Sequence, residues 1–92
     1  MFRISSGKGF QMTFENGWTV SVQFGNGNYC ENRFATDHER GESVDAEIAA
    51  WDKNNVWHDF GHDTVMGWCT ADQVADFIAE IKGKPRLARS LN

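Results

Sequence analysis

Residues 9–27 read GFQMTFENGWTVSVQFGNG and contain two segments in which apolar and polar side chains alternate. Alternation on both sides of an Asn-Gly pair is typical of a β-hairpin with one buried face and one hydrated face. A two-residue loop would place Phe14 opposite Thr19 and mix the two faces. A three-residue loop, Glu15–Gly17, pairs Phe14 with Trp18 and puts glycine at the third, left-handed position. The sequence therefore predicts this hairpin, with the further pairs Met12–Val20 and Phe10–Val22.

Length and composition restrict the class of protein. The 92 residues suffice for one domain with a modest core, to which seven Phe and four Trp supply much of the apolar area. No apolar run approaches the roughly 18 residues that cross a bilayer, and the first nine residues lack the apolar centre of a signal peptide. We therefore expect a cytoplasmic protein without a membrane partner. Cys30 and Cys69 lack CxxC spacing and are expected to be reduced thiols, with a disulfide as the lesser alternative.

The charge is distributed unevenly along the chain. Residues 31–80 carry twelve acidic and three basic side chains, a net charge of −9, whereas residues 81–92 contribute +4. Because contact with phosphates requires clustered Lys and Arg, the acidic part argues against direct binding of DNA or RNA. A basic partner protein fits this charge better. The segment Ser5–Gly9, SSGKG, does not match a phosphate-binding loop, since a strand rather than a helix follows it.

A second hairpin is predicted between Val44 and Phe60. The run AEIAAW is also compatible with a helix, but VWHDF after the polar residues Lys53–Asn55 favours strand, turn and strand. With Lys53–Asn55 as the loop and its last residue in the left-handed conformation, Ile48 would pair with Phe60 and Trp51 with Trp57. Three shorter expectations concern strands: Phe2 and Ile4 extending the first strand, Tyr29 and Cys30 beginning another, and Val65–Cys69 forming a buried one.

The clearest helix begins after Thr70, which forms a capping box with Gln73. Gly83 and Pro85 end it, and its apolar stripe consists of Val74, Phe77, Ile78 and Ile81. These elements predict an α+β fold, a four- to five-stranded, mostly antiparallel sheet of hairpins with one C-terminal helix packed on one face. Residues 1–83 would form the single domain, 31–43 a mobile loop and 84–92 a basic flexible tail. The residues expected beneath the helix are Phe10, Met12, Phe14, Val20, Val22, Ile48 and Phe60.

The string His58–Asp63, HDFGHD, is the most enzyme-like motif. Two His four residues apart, with Cys69 or Cys30 as a further ligand, suggest a metal site or a small hydrolase. On a strand, however, His58 and His62 would lie about 13 Å apart, too far for one ion. No nucleophile motif accompanies them. We therefore expect neither an enzyme nor a cofactor and keep the metal-binding interpretation as the alternative.

The outer face of the second hairpin is the predicted binding site. Alternation places two tryptophans and several carboxylates together on the side away from the helix, the composition of an interface anchor with a charged rim. The competing interpretation is that the tryptophans pack on the 31–43 loop and the acids are ordinary surface. The predicted partner-binding residues are Asp45, Glu47, Trp51, Trp57 and Asp59, with Glu39 and Glu42 as secondary candidates.

The segments GFQMTFENGWTVSVQFGNGNYC, AEIAAWD and VMGWCTADQVADFIAEI together resemble small uncharacterised proteins encoded by bacteriophages and prophages. The resemblance covers most of residues 7–83, and its motifs are turns and core positions that carry no catalytic residue across. It implies membership of a class that includes anti-CRISPR and other anti-defence inhibitors, which bind host nucleic-acid-handling complexes in the cytoplasm. The expected partner is then a basic host protein such as a CRISPR effector. A phage structural component that self-associates, for example as a homodimer, is the alternative.

Overall fold

The computed structural model describes residues 1–6, 8–35 and 41–86, in which five strands precede one helix. Neighbouring strands are antiparallel and follow chain order across the sheet, and the helix packs on one face of it. The predicted α+β fold is confirmed. The elements are β1 (Phe2–Ile4), β2 (Gly9–Thr13), β3 (Thr19–Gln23), β4 (Asp45–Trp51), β5 (Met66–Thr70) and α1 (Ala71–Lys82).

The first hairpin forms as the alternation predicts. Phe10 lies opposite Val22 and Met12 opposite Val20, and the Phe14 N–H donates to the Trp18 carbonyl at 2.9 Å. The third loop residue is glycine with φ of +93°, a conformation in which a Cβ would clash. The expectation for the N-terminus was wrong in one respect. Phe2–Ile4 does not lengthen β2 but turns back and pairs with it as a separate strand.

The second hairpin closes as predicted but is shorter. Trp51 and Trp57 lie opposite each other, and the His58 N–H donates to the Ala50 carbonyl at 2.8 Å. The predicted pair of Ile48 with Phe60 is wrong, because Ile48 lies opposite Met66 of β5. The ladder ends because the chain bends away after His58, which lets the Phe60 ring pack against Phe77 of α1 at a centroid distance of 5.2 Å.

Two other strand predictions need correction. Tyr29 and Cys30 belong to a series of turns rather than to a strand, with the Arg33 N–H donating to the Cys30 carbonyl at 3.0 Å. The strand near residue 68 begins at Met66 rather than at Val65. It is also not buried throughout, because an irregularity in its pairing with β4 leaves Trp68 54% exposed.

The core lies between the sheet and α1. Thr70 caps the helix with the predicted capping box, its hydroxyl accepting from the Gln73 N–H and its own N–H donating to the Gln73 side chain. Phe77 and Ile81 are buried, and Val74 and Ile78 pack beside them. The seven residues predicted beneath the helix belong to the core or pack against it. The prediction was wrong in one respect, because α1 contacts β3, β4 and β5 but not β2, so it does not extend over Phe10 and Met12. No helix in the described ranges is long and apolar enough to cross a membrane.

Both cysteines are free and buried, as predicted for reduced thiols. Burial, followed by the negative charge of Asp45, raises the pKa of the Cys69 thiol above its ordinary value. The thiol therefore stays protonated at neutral pH. The predicted basic tail extends into residues 87–92, which lie outside the described part of the chain, as do residues 36–40 of the predicted mobile loop.

Candidate functional site: the tryptophan hairpin and the outer face

The outer face of the sheet is the side opposite α1. Along β4 it carries every second residue, namely Asp45, Glu47, Ala49 and Trp51. Ser21 and Thr19 of β3 lie opposite the last two of these and are themselves buried. Gln23 folds back over this row, its Nε2 lying 3.1 Å from the Ser21 hydroxyl. On the other face the described helix covers β3, β4 and β5, so over these strands the protruding side chains of the outer face are the ones available to a partner.

Two indoles stand at one end of the outer face. The Trp51 and Trp57 rings have centroids 4.8 Å apart and are tilted by 34°. Trp57 is 44% exposed, whereas Trp51 is only partly exposed beneath it. Because each ring restricts the other, the pair presents a large apolar surface with little rotamer freedom left to lose on binding.

The loop that joins the two indoles is held by a residue that the sequence analysis did not single out. Asp52 is 8% exposed, and its Oδ1 accepts the N–H groups of Asn54 at 2.8 Å and Val56 at 3.0 Å. Asn55 adopts φ of +61°, the left-handed conformation that Asn tolerates. An aspartate at the start of a polar segment is the local signal of such a turn, because its side chain can accept the N–H two residues further on. The loop therefore holds the tryptophan pair on a fixed backbone.

The carboxylates at the other end of β4 bind the protein's own backbone. The Glu31 N–H donates to Asp45 Oδ1 at 2.6 Å, and the Tyr29 N–H donates to Glu47 Oε2 at 2.8 Å. Both acids are half-buried, and at about 3.3 Å per residue Glu47 lies about 13 Å along the strand from Trp51. The structure thus places these acids on the predicted face, but it uses them to hold the 25–35 loop rather than grouping them with the indoles.

The remaining predicted site residues differ in position. Asp59 follows the tryptophan hairpin and is exposed, with its Oδ1 accepting the Gly61 N–H at 2.7 Å. Glu42 is exposed at the start of the segment that leads into β4. Glu39 lies outside the described residues. Of the predicted charged residues, Asp59 is the closest to the indole pair in sequence, two residues after Trp57.

The two histidines of the enzyme-like motif do not form a shared site. His58 is half-buried on the helix side, where its ring packs edge-on against Phe60 at 4.7 Å and Phe77 at 5.4 Å. Its Nε2 lies 3.8 Å from Glu80 Oε2. His62 is exposed on the bend after Gly61. Within the described residues, no group of three or more His, Cys, Asp or Glu side chains could hold a metal ion.

A second group of exposed aromatic residues escaped the sequence analysis. Trp68 has φ of +58°, an unusual conformation for a bulky residue that the surrounding structure must enforce. Its N–H donates to the Tyr29 carbonyl at 2.8 Å. The Arg33 guanidinium lies 4.2 Å from the centre of the Tyr29 ring and 5.3 Å from that of Phe34. Alternation cannot reveal this group, because it depends on a bulge and on loop turns.

Comparison with models of protein families, with curated proteins and with solved structures found no match. The function must therefore be inferred from the site itself. Its most distinctive part is the tryptophan hairpin, which we define as residues 51–57 with the stacked rings of Trp51 and Trp57.

Proposed function

We propose that this is a non-enzymatic interaction protein that docks on a basic partner through the tryptophan hairpin. The observation that carries the proposal is the half-exposed indole of Trp57, stacked on Trp51 and held by the Asp52 turn. Tryptophan is among the residues most enriched at the energetic centres of interfaces. A rigid ring on a fixed loop loses less entropy on binding than a mobile one, so the geometry favours an anchor over an ordinary surface residue.

The negative charge of the chain indicates what kind of partner it would bind. Residues 31–80 carry a net charge of −9, and Asp59 and Asp63 are exposed just beyond the tryptophan hairpin. An acidic surface of this kind would be attracted to a channel lined by Lys and Arg, which accelerates encounter. Together with the resemblance to phage proteins, this supports a host nucleic-acid-handling complex as the partner and an anti-CRISPR-like or other anti-defence inhibitor as the role.

Replacement of Trp57 tests the anchor directly. Because truncation of a central interface residue costs about 2 kcal/mol or more, Trp57→Ala should weaken capture of the partner by about 30-fold. The matched control is Trp68→Ala, which removes an indole of similar exposure, 54% against 44%, from another strand and should change affinity less than threefold. Equal losses in the two variants, or none, would exclude the hairpin as the anchor.

The contribution of charge to binding must be tested with variants that leave the 25–35 loop intact. Reversal of Glu47 would release the Tyr29 N–H, so Asp59→Asn with Glu42→Gln is the better choice, since both changes keep an acceptor oxygen. The double variant should associate more slowly, and its binding should depend less on salt, because the screening length falls from about 10 Å at 0.1 M to about 3 Å at 1 M salt.

The inhibitor role has a test of its own. The captured partner should lose its nucleic acid when it is saturated with the wild-type protein. A partner that keeps its nucleic acid would contradict the inhibitor role.

A further inference from the structure

Strand β1 lies at one edge of the sheet, and no other strand among the described residues pairs with its outer side. The Thr13 N–H donates to the Met1 carbonyl at 2.9 Å, and the Ser5 N–H donates to the Gly9 carbonyl at 3.0 Å. Because antiparallel pairs exchange hydrogen bonds at alternate residues, the main-chain groups of Arg3 face β2 as well. The N–H and C=O groups of Phe2 and Ile4 therefore point away from the sheet, where a further strand would pair.

An apolar surface lies beside this edge. Phe2 is 70% and Ile4 85% exposed, and their positions opposite Met12 and Phe10 put them on the helix side of the sheet. Among the described elements, α1 contacts β3, β4 and β5 but neither β1 nor β2. We call the four residues Phe2, Ile4, Phe10 and Met12 the apolar shelf. Phe2 and Ile4 supply most of its exposed area, because Phe10 and Met12 are partly buried against the core. Exposed apolar side chains grouped in this way are typical of an interaction site.

The opposite edge of the sheet is closed. The Tyr29 carbonyl accepts the Trp68 N–H of β5 at 2.8 Å, and a Cβ on Gly67 would overlap the Tyr29 side chain. The irregular pairing around Trp68 further disrupts this edge. Addition of β1 to β5 of another copy, which would build an open filament, is therefore obstructed.

We propose that two copies of this chain form a dimer by antiparallel pairing of β1 with β1, around a two-fold axis that passes beside Arg3. The edge is self-complementary about this axis, since Phe2 of each copy would exchange main-chain hydrogen bonds with Ile4 of the other. The axis stands perpendicular to the sheet, so both helices lie on one side and the two apolar shelves meet. The result is a continuous ten-stranded sheet with both β5 edges outermost.

The distribution of acidic residues favours a second copy as the occupant, and the small contact area predicts a weak dimer. Among the described acidic residues, Asp45 and Glu47 lie in β4, and Asp72, Asp76 and Glu80 lie in α1, which contacts β3, β4 and β5 but not β1. Two chains of net charge −4 therefore meet where their repulsion is weakest. The two Phe2 rings together can bury at most about 300–500 Å², which is small against the roughly 1,200 Å² of a stable complex. The dimer is weak and reversible.

Sedimentation equilibrium should show a reversible equilibrium between monomer and dimer. The protein concentration should run from about 5 µM to about 1 mM, because a small interface gives a weak dissociation constant in this range. Ile4→Pro removes an outward-facing N–H and leaves the ladder with β2 intact, so the dissociation constant should rise at least about tenfold. Phe34→Lys, at a residue of nearly equal exposure, 83% against 85%, should leave it unchanged. A wild type that stays monomeric, or an Ile4→Pro variant that dimerises normally, would overturn the proposal.

A charge swap tests the axis itself. In the proposed dimer Arg3 faces Arg3 of the second copy, and like charges opposite each other destabilise a strand pair. Arg3→Glu alone should therefore dimerise no better than the wild type, whereas an equimolar mixture should form the mixed dimer in excess of the statistical half. Mixing at the statistical ratio would contradict this register. Loss of the dimer in Trp57→Ala would assign self-association to the outer face instead, and circular dichroism checks the fold of each variant.

Discussion

Asn16, in the loop of the first hairpin, links that loop to the end of the helix, and its replacement is the sharpest test of the fold. Its Nδ2 donates to the carbonyls of Ile81 at 2.9 Å, Lys82 at 3.2 Å and Lys84 at 3.0 Å. Its Oδ1 accepts the Trp18 N–H at 2.9 Å. Helix C-terminal carbonyls lack partners within the helix. The two N–H groups of this one side chain are shared among the last two helix carbonyls and that of Lys84, and they fix the end of the helix against the hairpin loop.

The expected loss follows from these contacts. At about 1 kcal/mol net for each of two to three hydrogen bonds, Asn16→Ala should lower the free energy of unfolding by about 2–3 kcal/mol. For a domain of this size that corresponds to a fall in the melting temperature of about 10–20 °C. Because total stabilities are only about 5–15 kcal/mol, the effect is large. Urea unfolding followed by tryptophan fluorescence measures it.

Asn16→Asp tests whether the stabilisation comes from the hydrogen bonds that Asn16 donates or from the shape of its side chain, since aspartate has nearly the same shape. The aspartate keeps the acceptor for the Trp18 N–H but sets a negative charge against three carbonyls and the negative end of the helix dipole. It should therefore be at least as destabilising as alanine at pH 7. Because the folded-state pKa of this carboxyl would be raised, stability should recover as the pH falls towards the unfolded value of about 3.9.

The matched control is Asn54→Ala, in the loop of the other hairpin. The Asn54 backbone N–H bonds to Asp52 Oδ1, and its side chain is exposed. This change should stay within about 0.5 kcal/mol of the wild type. A loss in Asn16→Ala no larger than that of the control would refute the assignment of Asn16 as the link between hairpin and helix.

Two further predictions concern β5. The pKa of the buried Cys69 thiol is raised, so this thiol ionises at a lower pH in the unfolded state than in the folded state. The free energy of unfolding should therefore fall as the pH rises above about 9. Urea titrations from pH 7 to 10 should show this extra fall in the wild type and not in Cys69→Ala. Trp68→Gly should raise the free energy of unfolding by about 1 kcal/mol, since glycine adopts the φ of +58° without the cost of a left-handed bulky residue. An unchanged or lowered stability would show that the exposed indole contributes more by packing than its backbone loses.

Local sequence patterns determine those features in which the interacting residues are close together in the sequence. The three-residue loop that ends at Gly17, the capping box of Thr70 and the Trp51–Trp57 pair all depend on residues less than ten positions apart. In each case a turn or a cap allows one arrangement, and alternation decides the face. Asp52 belongs with them, because the residues whose N–H groups it accepts are two and four positions away.

Tertiary structure decided everything that depends on distant partners. Alternation predicts an apolar residue opposite Ile48 but does not distinguish Met66 from Phe60, since pairing with either residue places an apolar side chain on the same face of the sheet. The carboxylate of Glu47 went to the Tyr29 N–H because the 25–35 loop crosses this face, which no periodicity encodes. Asn16 was predicted for its turn conformation, yet its amide caps a helix that ends 65 or more residues later. Such contacts form because a folded chain must satisfy its buried polar groups with whatever lies nearby.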